Sequence, residues 1–163
     1  MWSEFVPTPR HLFYQLLPRE MALADIFWTP LKNQHYSDFV KRTTRQYLWL
    51  RANNYNFRIP PPSFRFTDNG RPFIATRDPS HNALDIQCAL PAALVQITDP
   101  VPGIVIYYTL NGLSPNTKSI RYVGPIHVQC VPGKRAVVRS VAIDSFGRSS
   151  APSKLLVQLK LHP

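Results

Sequence analysis

Three consecutive prolines, Pro60-Pro61-Pro62, divide this chain into two halves that cannot obey the same periodicity. A proline run cannot be helical and behaves as a stiff extended spacer, so any helix before it must stop and any strand after it must start afresh. Before the run the apolar residues recur at helical spacing; after it they fall into short stretches cut by turn residues. With 17 prolines against 6 glycines, short elements and stiff connections are expected throughout.

In the first half, Thr8-Pro9 is positioned to cap and open a short helix, and Pro18 to open the next. Met21, Leu23, Ala24, Phe27 and Trp28 then predict one buried stripe over Arg19 to Trp28, ended at Thr29 because the residue before Pro30 avoids the helical region. A further helix is expected from Ser37, turning Phe39, Val40, Thr43, Tyr47, Leu48 and Leu50 toward a core and leaving Lys41, Arg42, Arg45 and Arg51 on a solvated face.

Between residues 59 and 82 the pattern predicts a proline-rich linker with a short hairpin, in which Phe64 and Phe66 face Phe73-Ile74-Ala75 across an Asn69-Gly70 turn. Strands are then expected at 84–89, 93–98, 104–110, 126–130, 135–144 and 154–161, separated by turn residues such as Pro102-Gly103, Asn111-Gly112 and Phe146-Gly147. This spacing fits an antiparallel β-sandwich of immunoglobulin or fibronectin III shape over residues 83–163. No tryptophan follows Trp49, which disfavours a true immunoglobulin core.

The formal net charge of +10 raises nucleic acid as a partner, but the 19 Lys and Arg are dispersed, with no more than two adjacent. A basic solvated surface is the better reading, and no nucleic-acid partner is expected. No apolar run approaches the roughly 20 residues of a membrane span. Trp2, Glu4 and Pro7 interrupt any secretory hydrophobic region at the start. Cys88 and Cys130 are either two buried thiols or one disulfide in an exported protein; the spacing leaves both open.

The nine acidic residues include no adjacent pair, the five histidines have no short metal spacing, and no nucleophile motif accompanies them. Neither a catalytic residue, a metal site nor a cofactor is therefore expected in this chain. The arrangement that suits a ligand is Trp2-Ser3-Glu4: an aromatic plane packs on the C–H face of a sugar while a carboxylate accepts from its hydroxyls. The plainer alternative makes Trp2 a core residue and Glu4 a surface carboxylate, with Arg19 a helix-start residue paired to Glu4 or Asp25.

The order Trp2-Ser3-Glu4, Leu17-Pro18-Arg19-Glu20, Met21-Ala22-Leu23-Ala24-Asp25 and Trp28-Thr29-Pro30 resembles the end of the catalytic barrel of β-N-acetylhexosaminidases of glycoside hydrolase family 20. Asp25 stands where that family usually carries glutamate. Tyr36-Ser37-Asp38-Phe39 and Asn54 to Pro60 extend the resemblance to about residue 62. Gly103 to Gly112, Tyr122 to Ile126 and Val141 to Ser150 are similar to the C-terminal β-sandwich of chitobiases and related hexosaminidases.

The resemblance implies an α+β chain: a helical remnant of a (β/α)8 barrel over 1–58, the linker, then the sandwich. It also implies that the full-length enzyme hydrolyses terminal N-acetylhexosamine residues by a retaining mechanism in which the substrate's own acetamido oxygen attacks. Trp2 would line the sugar pocket and Glu4 would accept from sugar hydroxyls. The family's adjacent Asp-Glu pair has no counterpart here, so Met1 is expected to be internal to a longer gene, the missing barrel portion to be a partner, and the isolated chain to be inactive. Parent enzymes of this family are often periplasmic or secreted. The alternative is a non-catalytic β-sandwich module that binds carbohydrate or protein.

Overall fold

The computed structural model describes residues 5–67, 75–78, 83–88 and 91–159. The chain divides into two compact units, Met1–Ile59 with Pro100–Pro102, and Pro60–Asp99 with Gly103–Pro163.

The first unit is helical. Helix α1 (Pro9–Leu16) opens as expected: Thr8 is its N-cap, with the hydroxyl accepting from the His11 amide at 3.2 Å, and Pro9 supplies a preset φ where no intrahelical donor is needed. Helix α2 spans Arg19–Trp28 and closes on an extended Thr29, forced there by Pro30. A 3-10 turn (Leu31–Asn33) leads to α3 (Tyr36–Ala52), which begins one residue before Ser37, with His35 rather than a hydroxyl residue at the cap.

The core of this unit is small. Helix α3 buries Thr43, Tyr47 and Leu50, and the returning chain adds Phe57 and Ile59. The Tyr47 and Phe57 rings lie 5.2 Å apart, and Phe13 meets Tyr55 edge-on at 4.8 Å. Two expectations fail here. Helix α2 has no buried residue, and Phe27 and Trp28 are 78% and 87% exposed. Leu48 is also exposed, because the buried positions of α3 run 43, 47, 50 and place residue 48 off that stripe.

Among the described residues the second unit contains nine strands in two sheets. One sheet orders β1 (Ser63–Thr67), β4 (Ala92–Thr98) and β7 (Ile126–Gln129); the other orders β2 (Ala75–Asp78), β3 (Ala83–Cys88), β9 (Ser153–Leu159), β8 (Ala136–Ile143), β5 (Val105–Thr109) and β6 (Ile120–Arg121). Both feed one core: Phe64, Val95, Ile97 and Val128 from the first meet Ile86, Val138, Leu155 and Val157 from the second. This is a β-sandwich. It departs from the expected all-antiparallel form, because β3 and β9 pair in parallel, Leu84 opposite Leu155. Their distance in sequence removes the short-connection constraint that favours antiparallel neighbours.

Within 59–82 the two described strands belong to different sheets, and Phe73 and Ile74, the expected second arm of the hairpin, lie outside the described residues. Ser63–Thr67 pairs with β4 and Ala75–Asp78 with β3; the Asn69-Gly70 turn lies outside the described residues. Phe64 is drawn to β4 because that register puts it in the common core. The described parts of that segment thus include two sheet strands.

Candidate functional site

Trp2 and Glu4, the two sequence-predicted site residues, lie outside the described residues, as do His81 and His162. Among the described residues no group of His, Cys, Asp or Glu is placed to hold a metal ion, and no helix is long and apolar enough to cross a membrane.

What the helical unit does assemble is a cleft of about 450 Å³ between α2 and α3. Helix α2 contributes Glu20, Met21, Ala24, Asp25 and Trp28, which recur every three to four residues and so share one face. Helix α3 contributes Phe39, Arg42, Thr43 and Gln46 at the same spacing. Asp25 Oδ1 accepts from Arg42 Nη2 and, at 3.3 Å, from Thr29 Oγ1. Asp25 is 17% exposed at its side chain and Arg42 49%, so the pair forms a half-sheltered floor beside the open Trp28 ring.

This pairing corrects one reading. Arg19 does not reach Asp25; its guanidinium points to the Gln15 carbonyl at 3.5 Å. Arg42, exposed as its place on a solvated face implies, supplies the partner instead. Seventeen residues separate Asp25 from Arg42, and no local periodicity links positions on two helices at that distance. A second cleft of about 290 Å³, lined by Asp38, Lys41, Arg42 and Arg45, occupies the next stripe of α3.

In the sandwich, Cys88 and Cys130 form a disulfide with Cα atoms 6.5 Å apart, resolving the alternative that the sequence left open. Cys88 ends β3 of the six-stranded sheet and Cys130 follows β7 of the three-stranded sheet, so the bond staples the two layers. Ser114 and Ser150 hold loops: Ser114 Oγ accepts from Arg139 at 3.0 Å, and the buried Ser150 Oγ accepts from the Ala142 amide at 3.0 Å. Among the described residues neither hydroxyl pairs with a histidine or a carboxylate.

The sandwich defines the class to which this half is related: residues 91–154 match the family model described as the chitobiase/beta-hexosaminidase C-terminal domain. That match runs from β4 to the first residues of β9 and omits β1 to β3. The chain is also 28% identical over 154 residues to a beta-hexosaminidase of Porphyromonas gingivalis (strain ATCC BAA-308 / W83), an alignment that covers 88% of this chain. It covers 18% of that relative, so the chain spans less than a fifth of the protein it matches. The chain is thus similar to a beta-hexosaminidase along most of its length, and its sandwich to the C-terminal domain of that class.

Proposed function

We infer that this chain serves as the closing portion of a β-N-acetylhexosaminidase of the glycoside hydrolase family 20 type. In this reading residues 1–58 complete a catalytic barrel and the sandwich follows it in the chain. The observation that carries the reading is the face of α2 opposite the cleft. Leu23, Ile26 and Phe27 fall at i, i+3 and i+4 and are 44%, 55% and 78% exposed, an apolar stripe of the kind that ordinarily packs on a neighbouring element. A relative several times longer offers such an element.

In the whole enzyme Trp2 would pack on the sugar ring and Glu4 would accept from its hydroxyls, while the substrate's acetamido oxygen attacks the anomeric carbon. The adjacent Asp-Glu pair that would orient that acetamido group and protonate the leaving oxygen is absent from these 163 residues. Hydrolysis therefore requires chain that this sequence does not contain, and the substrate class is glycans ending in N-acetylhexosamine.

A chimera tests this. When the corresponding last part of a beta-hexosaminidase is replaced by this chain, hydrolysis of an N-acetylhexosaminide is expected to persist. Glu4→Gln in the chimera is expected to lower kcat/KM roughly 10- to 100-fold, the loss of about 1.5–3 kcal/mol for a hydrogen bond to a charged group. A folded chimera with no activity, or an indifferent Glu4→Gln, contradicts the proposal.

A further inference from the structure

The two clefts of the helical unit share a wall. On α3, Phe39, Arg42, Thr43 and Gln46 line one, and Asp38, Lys41, Arg42 and Arg45 line the other; these are adjacent stripes of one helix meeting at Arg42. Their chemistries differ. The first offers an indole 87% exposed beside the acceptors Glu20 and Asp25 and the amide of Gln46, a combination suited to a polyhydroxylated ring. The second holds three cations against one carboxylate, and that carboxylate is engaged by Lys41 at 3.3 Å. Arg45 makes no ion pair among the described residues.

We propose that this double cleft is a binding site for a carboxylated oligosaccharide: one sugar ring stacks on Trp28 with its hydroxyls donating to Glu20 and Asp25, and the acid group of the adjoining sugar sits against Lys41 and Arg45. A neutral sugar would use half of the site and a free anion the other half. The stripe of Leu23, Ile26 and Phe27 faces away from the cleft, so its burial against a barrel would leave Trp28 open. The site uses residues other than Trp2 and Glu4. It deepens the carbohydrate reading above and rests on it.

The test is titration of the 163-residue chain with a hyaluronan tetrasaccharide, which alternates N-acetylated and carboxylated sugars, beside neutral chitotetraose and inorganic sulfate. Saturable binding of the carboxylated probe is expected, at least about tenfold tighter than chitotetraose or sulfate. Trp28→Ala and Arg45→Glu should each weaken it at least about tenfold, whereas Lys118→Glu, in a sandwich loop, should leave it unchanged. Both site residues are exposed, and unaltered circular dichroism and melting confirm that each variant folds. Absence of binding by the parent chain, equal affinity for chitotetraose, or insensitivity to either site variant overturns the proposal. Retention of sulfate with no Trp28 dependence also overturns it, as charge alone. The readout is binding, so an active chimera combined with no hyaluronan binding rejects this site while sparing the hexosaminidase reading, and an inactive chimera does the reverse.

Discussion

The carboxylate of Asp144 is fully buried and receives the guanidinium of Arg148, whose Nε donates to Oδ2 at 2.7 Å. The other oxygen, Oδ1, accepts from the amides of Phe146 and Arg148, each at 2.9 Å. One side chain therefore organises the whole turn after β8, with Gly147 at φ +76° providing the left-handed backbone that closes it. Arg148 also lies over the Phe146 ring, 5.4 Å from its centroid. The Asp144-to-Ser150 segment that resembles the hexosaminidase sandwich is, in this structure, a fold-determining turn.

Asp144→Ala would leave a guanidinium 13% exposed without its carboxylate and two amides without their acceptor. Breaking a buried pair from one side costs about 3–5 kcal/mol. Urea unfolding of the chain, followed by the sandwich's far-ultraviolet signal, should show a loss in this range. A loss below about 1 kcal/mol would mean that the turn is held by something else.

The disulfide closes a span of 42 residues. The chain-entropy relation gives about 4 kcal/mol for a loop of that size. Cys88→Ala with Cys130→Ala should lower the unfolding free energy by roughly that amount, and alkylation of the native, unreduced chain should label neither cysteine. Full labelling without reductant would contradict the pairing.

Leu155 is fully buried between the sheets, whereas Trp28 is 87% exposed. Leu155→Ala should destabilise the sandwich by about 2–5 kcal/mol, the cost of lost burial and a residual cavity. Trp28→Ala should change stability by no more than about 0.5 kcal/mol, as exposed substitutions do. Denaturant midpoints of the two variants give the comparison directly, and a reversed order would refute the exposure described for α2.

How far the sequence spoke for the fold depended on how local each cause was. The strands from Ala92 to Leu159, apart from the two-residue β6 that sequence reasoning missed, were readable because turn residues bracket them, and Asn111-Gly112 does form a turn: Gly112 sits at φ +77° and the Asn111 side chain accepts from the Leu113 amide at 3.1 Å. Phe64 and Phe66 signalled a strand but not its partner, since pairing with β4 is settled by a core assembled from distant residues. The stripe on α2 was legible as apolar but not as exposed, because periodicity reports that a face seeks cover and is silent on whether cover is present. The Asp25–Arg42 pair and the Cys88–Cys130 bond depend on tertiary proximity alone, and no residue spacing encodes either.

The proposed role, a part of a glycoside hydrolase that does not itself catalyse, is tested most directly by the chain's own turnover. The purified 163-residue chain, incubated with a chromogenic N-acetyl-β-glucosaminide, is predicted to release no chromophore above the buffer blank, because the sequence contains no adjacent Asp-Glu pair. Release at about 1 s⁻¹ or faster, within the ordinary range of enzymes, would contradict the account.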